Sequence, residues 1–503
     1  MSIQIEAESR AMRQHPAIAA AVLPWLVLAL LFAAALWLRH AVAANTDVSW
    51  LLTAAGKMLS GGRLYVDVIE TNPPIAVLAY LPALWLAGAL GVPAEIVVDG
   101  LVFAAILGSL AIVAKILRTS AVLQGLPRWP LAWLGFAVLA ILPAQTFGQR
   151  EHIAVVVLLP MLALIARRMQ QEAPPRWAVL VAGLGAAVAL AFKPQFGIGL
   201  GCAVAASCVH ARNWRLVATP ENLLTAAFAA LYLAATVVLY PEYVTVILPL
   251  LRDVYLPVGL SLSDMLDRPA ISLWAIAILA AGLLGRRRSV VALLVLLSSS
   301  AGFAVVYLLQ RKGWPYHSYP ALALALLGFG VALLADVPDG RPGRIWRGAA
   351  LLLLAAVFAR SMLWFDVAFD ARPLQAAVAR LGPHPAVLAI SGEPGIGHPL
   401  VRALGGSWVS RQQGLWVATY ADYLRRNGPL SPDREAALDA HAARERAMLV
   451  EDIRRMKPTV VLVDDLTGRG SAWLAAHPDV ALLLKDYRLA DTVNRVAILT
   501  RRD

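Results

Sequence analysis

Long apolar runs separated by short polar loops make up most of the chain. Runs of roughly 17 to 25 residues, enough to cross about 30 Å of hydrocarbon, recur from Ala17 to about Phe365, and about twelve can be marked off. The first, Ala17 to Val42, is too long for a signal-peptide core and lacks a small-residue cleavage site, so it predicts a retained span. After Phe365 the period changes. "AVLAIS" (386–391), "TVVLVDD" (459–465) and "RVAILT" (495–500) are short β-type runs, with helix-like stretches such as Pro432 to Met456 between them. The pattern predicts a polytopic α-helical membrane protein of about 11–13 spans with a C-terminal extracytoplasmic α/β domain. Residues 1–16 form a cytoplasmic N-terminus, 17–371 the membrane module and 372–503 the outer domain.

Composition agrees with a bilayer. Of 503 residues, 59% are hydrophobic and only 15% charged, against about 25% charged in an average soluble domain. The net charge of +12 does not call for nucleic acid, because the basic residues gather in short loops, as the positive-inside rule requires. Cys202 and Cys208 lie in an apolar run and form neither a disulfide framework nor a zinc site.

Charge also sets the expected topology. "RRMQQEAPPR" (167–176), "HARNWR" (210–215), "GRRR" (285–288) and "DGRPGRIWR" (339–347) should be cytoplasmic. The stretches 43–74, "GQREH" (148–152), "FKPQF" (192–196), Pro241 to Pro269 and "QRKGWPYHSYP" (310–320) then open to the exterior. Three apolar runs, about 75–91, 96–116 and 129–147, separate the first two of these, where an even number of crossings is needed. One run should therefore be short or re-entrant, and the basic loop from Lys115 to Arg128 is the one expected to bend the charge rule.

The external stretch "NTDVSWLLTAAGKMLSGGRLYVDVIETNPP" (45–74) carries three carboxylates, Asp47, Asp67 and Glu70. Val48, Leu51, Leu52, Ala55 and Leu59 recur at helical spacing, which predicts a helix over 48–59 on the membrane surface, with Asp47 at its N-cap and Gly61–Gly62 at its end. Asp47 has a purely structural alternative as a cap, and Asp67 and Glu70 have one as a solvated loop edge. Carboxylates fixed at the surface can instead hold a divalent cation or take the proton of an acceptor hydroxyl.

Arg150, Glu151 and His152 stand at the mouth of a span, where ionisable residues are costly unless paired or functional. Lys193 interrupts another apolar stretch, and snorkelling would also explain it. Arg311, Lys312, Tyr316 and His317 crowd the outer end of a later span, where the two cations could clamp a phosphate. "GEPGIG" (392–397) follows a strand as a plain turn or a phosphate cradle. Together these make an external cavity with carboxylates on one side and cations on the other, suited to transferring a group from a phosphate-bearing lipid.

The stretch from Asp47 to Pro74, with "DVSWLL", "GGRLY" and "E-x-N-P-P", resembles the first external loop of the C-type, polyprenyl-phosphate-sugar-dependent glycosyltransferases. That superfamily includes the protein O-mannosyltransferase-like branch and the lipid A aminoarabinose transferases. "GQREH" is similar to its second acidic motif, and "RKGWPYHSYP" to its later basic and tyrosine-proline segment; the likeness covers about residues 17–335. The resemblance implies a membrane glycosyltransferase that moves a sugar from a polyprenyl-phosphate donor to an envelope lipid, glycan or protein on the outer face of the membrane, and the alanine- and arginine-rich composition without disulfides points to a bacterial inner membrane. It implies Asp47, Glu70 and Glu151 as catalytic acids, with Asp47 as base and Asp47 with Glu70 as holders of a divalent cation, Mg or Mn. It implies Arg311 and Lys312 on the donor phosphate; the residues themselves, read by position and charge, add Asp67, Arg150, His152, Lys193, Tyr316 and His317 to the expected substrate site. Asn72 departs from the lysine that some branches carry before the two prolines. A lipid-linked sugar flippase or secondary transporter is the alternative, and would gather its charges near the membrane midplane.

Overall fold

The computed structural model describes residues 2–285, 289–336, 341–366 and 369–502, so the arginines of 286–288 and the start of the 339–347 loop lie outside the described residues. Eleven helices run through the described bundle. They are Ser2–Ala41, Ala94–Leu117, Arg128–Ala140, Arg150–Met169, Arg176–Phe192, Gly197–Ala211, Pro220–Leu239, Pro269–Leu284, Val290–Gln310, Pro315–Asp336 and Arg341–Trp364. Seven contain stretches long and apolar enough to cross a bilayer, and 176–192 and 269–284 are shorter apolar helices. Their outward surfaces stay apolar, with Trp37, Leu231, Val238, Leu283 and Leu352 all exposed, as lipid rather than water would require.

Ion pairs fix which helix ends share a face. Arg39 meets Asp99 at 3.6 Å, and Glu95 meets Arg402 of the C-terminal domain at 2.5 Å, so residues 39 and 95 lie on the domain-bearing face. On the opposite face Arg167 donates to the Ile116 carbonyl at 2.6 Å and Arg168 pairs with Glu221 at 2.9 Å. The run 75–91 resolves the odd crossing. It forms two helices, Ile75–Leu78 and Leu81–Leu90, which begin beside Asn72 and Pro73 and lead straight to Glu95, so both ends lie on the domain-bearing face. This run is re-entrant. The expectation that the Lys115–Arg128 loop bends the charge rule is thereby corrected: it lies on the opposite face with Arg167 and Arg168.

The C-terminal domain holds a five-stranded sheet: β1 (Ala386–Ile390), β2 (Ser407–Trp408), β3 (Val460–Asp464), β4 (Tyr487–Val493) and β5 (Val496–Arg501), in the order β2-β1-β3-β5-β4. β1 runs parallel to both β2 and β3, while β5 is antiparallel to β3 and closes a hairpin with β4. "AVLAI" and "VVLVD" are continuous apolar runs because helices cover both faces of these strands. One cover is Pro432–Met456, started by the Ser431 side chain and by proline at its first position. The chain leaves β1 toward β2 on one side and returns to β3 on the other. That reversal opens a crevice at the carboxyl ends of β1 and β3.

The helix expected on the membrane surface is instead enclosed between bundle and sheet domain, with Val48, Trp50, Leu51, Leu52, Ala54 and Ala55 all buried. The Lys57 ammonium donates to the Ser410 carbonyl at 2.5 Å, and the Trp50 ring lies 5.3 Å from that of His398. The apolar stripe is real, but protein rather than lipid covers it.

Candidate active site

The helix begins at Thr46, earlier than expected, because Asn45 and not Asp47 is its cap: the Asn45 side chain accepts from the Val48 amide at 2.9 Å. Asn45 also donates to the Gln145 carbonyl at 2.5 Å and accepts from Gln149 at 3.0 Å, tying this helix to the turn before the helix Arg150–Met169. Asp47, relieved of capping, sits in the first turn. Its Oδ2 lies 3.3 Å from Arg150 Nη2. Both residues line a cavity of about 1020 Å³ between the bundle and the sheet domain.

The cavity's sides differ in chemistry. Toward the bundle it is lined by Arg150, Lys193, Arg311, Lys312, Tyr316 and His317. Arg150 is buried, and its Nε and Nη1 have no hydrogen-bond partner among the described residues. These nitrogens are enclosed, so the Arg150 guanidinium acts on the cavity it lines through its charge. Lys193 donates to the fully buried Glu151 and lies 3.2 Å from His317 Nε2. Lys193 is therefore paired inside the protein rather than snorkelling. Glu151 stands behind it, just outside the cavity lining.

Lys312 donates to the carbonyls of Tyr255 (2.6 Å) and Val258 and lies 3.9 Å over the Tyr255 ring, while Arg311 donates to the Leu260 carbonyl at 2.7 Å. Both cations hold the segment after the π-helical turn Leu251–Tyr255 while facing the cavity. Burial lowers the Lys312 pKa to about 8.

Glu70 also lines the cavity. It accepts from the Trp50 indole at 2.5 Å, from the Asn72 amide at 2.9 Å and from the Asn72 side chain at 2.5 Å. Asp67 and His152 do not reach it. The Asp67 carboxylate accepts from the Arg63 amide at 2.9 Å and closes its own turn. His152 accepts from the Gly148 amide on Nδ1 at 3.0 Å and donates from Nε2 to the Leu139 carbonyl at 2.7 Å, so both ring nitrogens are used in packing the turn before its helix. As for a cation, the described residues hold no cluster of three His, Cys, Asp or Glu that could bind one. Asp47 and Glu70 already engage Arg150, Trp50 and Asn72.

The sheet domain closes the cavity from above with Gly392, Glu393, Pro394, Gln413, Trp416, Thr419, Tyr420, Thr467 and Gly468. Sequence reasoning missed most of these residues, although "GEPGIG" marked one of the segments. Its amides do not form a phosphate cradle, because Glu393 itself takes the Gly395 amide at 2.9 Å. Burial, with Asp47 and Asp464 nearby, raises the Glu393 pKa. Burial raises that of Asp47 too, against the pull of Arg150. A carboxylate so raised is a stronger proton acceptor when ionised. On one flank the lining includes Leu256 and Leu309, both also exposed on the outside of the bundle, so the cavity reaches the apolar surface.

No protein-family model matches the chain, and neither does any curated protein. Among solved structures it is similar to ArnT from Cupriavidus metallidurans in the apo state, with a TM-score of 0.58 and 15% identity over 96% of this chain and 98% of that one. The same enzyme bound to undecaprenyl phosphate gives 0.56 and 15%, over 94% and 97%. The likeness is one of fold, and it runs from the helical bundle through the C-terminal sheet domain.

Proposed function

We propose that this chain is a C-type membrane glycosyltransferase that moves a sugar from a polyprenyl phosphate to an envelope acceptor. The observation that carries the reading is the meeting of Asp47 and Arg150, a proton acceptor and a guanidinium, in a cavity roofed by the sheet domain and reaching the apolar flank. A long isoprenoid can stay in lipid at that flank while its phosphate reaches the cations. The undecaprenyl phosphate bound by the similar ArnT supports such a donor.

In the reaction the acceptor oxygen attacks the anomeric carbon and gives its proton to Asp47, while the bond from that carbon to the phosphate oxygen breaks. The departing polyprenyl phosphate gains charge, which Arg150, Lys193 and Lys312 can meet in a partly dry site. Phosphate is a weak base, so it leaves without a strong general acid. Glu151 acts through Lys193, holding the ammonium at the cavity floor.

Glu70 accepts from Trp50 and Asn72, and Asp47 from Arg150, so the steps above use these protein donors. The basic loops opposite the sheet domain orient that face toward the cytoplasm of a bacterial inner membrane. Reconstitution tests the reading: purified protein in proteoliposomes with a polyprenyl-phosphate sugar should release the free lipid phosphate in proportion to acceptor modified. Binding of the lipid without cleavage would refute it.

A further inference from the structure

Resting on that reading, we infer that the crevice at the carboxyl ends of β1 and β3 is the acceptor subsite, shaped for the hydroxyl-bearing ring of a neutral sugar. In sheets with parallel strands, ligands settle where the strand order reverses. Here that place opens onto the reaction cavity, because the segments after β1 and β3 both line it.

The chemistry of the crevice selects its ligand. Phosphate would need backbone amides or cations. The Gly395 amide is taken by Glu393 at 2.9 Å, those of Leu466 and Thr467 by Asp464 at 2.9 and 3.0 Å, and Pro394 has no amide hydrogen. Among the described residues, the sheet domain brings no lysine or arginine to the cavity. It brings the Glu393 carboxylate, the Gln413 amide, the hydroxyls of Thr419 and Thr467, and the rings of Trp416 and Tyr420, whose centroids lie 5.8 Å apart. Carboxylate and amide oxygens accept from sugar hydroxyls, and aromatic faces cover the ring's C–H surface. The fit is close: a Cβ on Gly392 would come within 2.1 Å of Thr419 Oγ1, so glycine is what lets the helix Trp416–Arg426 close over the end of β1. Glu393 also lies near enough to Asp47 to feel its charge. A ring held here lies between Glu393 and the donor side of the cavity, with Lys312 Nζ 5.9 Å from the Tyr420 ring at its edge.

Two probes on the full-length protein in nanodiscs separate this subsite from the donor site: a panel of methyl glycopyranosides, read by saturation-transfer NMR, and undecaprenyl phosphate, read by direct binding. Glu393→Gln keeps an acceptor for the Gly395 amide but loses the charge. It should weaken glycoside binding by about tenfold or more while leaving lipid phosphate binding intact. Arg150→Met should do the reverse. Thr419→Val, which preserves shape, serves as the second variant should Glu393→Gln lower the melting temperature. The inference is overturned if no glycoside binds, if inorganic phosphate competes with it, or if Arg150→Met abolishes the glycoside signal while Glu393→Gln and Thr419→Val leave it unchanged. Failure of the wild type to bind undecaprenyl phosphate would instead strike the glycosyltransferase reading and leave the glycoside result standing.

Discussion

Asp47 Oδ2 lies 3.3 Å from Arg150 Nη2, joining the first turns of two helices whose paired residues are 103 positions apart in the chain. Because Asn45 does the capping, Asp47→Asn should leave the fold and membrane insertion intact and lower transfer by about 100- to 10,000-fold, the contribution of a positioned base. Rates of the detergent-purified variant against its melting curve check this.

The same pair sets a pH dependence. Burial raises the Asp47 pKa, so the ionised base is lost, and the rate with it, at a higher pH than for an ordinary carboxylate as the solution is acidified. Arg150 opposes that shift. Arg150→Gln should therefore move the acid limb of the rate profile further up, while also reducing the rate through loss of the guanidinium charge. An unmoved acid limb in that variant would separate Asp47 from the rate.

Lys312 predicts the opposite limb. Its pKa is lowered to about 8, so its charge fades as pH rises through that value, and undecaprenyl phosphate binding should weaken in the same range. Lys312→Arg, which stays charged, should flatten the dependence. Titrating lipid binding from pH 6 to pH 10, roughly the span over which the amine changes charge, distinguishes the two variants.

Glu151 and Lys193 are fully and almost fully buried as a pair, so Lys193→Met leaves an uncompensated carboxylate and should cost about 3–5 kcal/mol of stability. The double variant Lys193→Met, Glu151→Gln should recover most of the thermal stability. It should not recover turnover, because the ammonium at the cavity floor is gone. Recovery of both would make the pair structural only.

The two-part architecture and the carboxylates and cations of the membrane loops were legible because long apolar runs are costly to interrupt, and a charge left among them stands out. The interior of the first external loop was less so. Apolar spacing gave the helix but not its partner, since Trp50 and Leu51 look the same whether lipid or the sheet domain covers them. Sequence alone does not separate Asn45 from Asp47 as the cap, because asparagine and aspartate both cap well and only geometry shows that Asn45 holds the Val48 amide. Asp67 and His152 drew notice as ionisable residues near a site, yet each spends its polar atoms on a local turn. Glu393 escaped notice because a single glutamate after a strand carries no signal until the sheet domain docks over Asp47.

The central claim is cleavage of a sugar from a polyprenyl phosphate, and mass spectrometry of extracted lipids and envelope glycans tests it most directly. Membranes from cells carrying Asp47→Asn as the sole copy should accumulate a sugar-bearing polyprenyl phosphate, and one envelope molecule should lose that same sugar mass. If the lipid pool is unchanged and the envelope molecule keeps its sugar, Asp47 is not the base of a glycosyl transfer and the account fails.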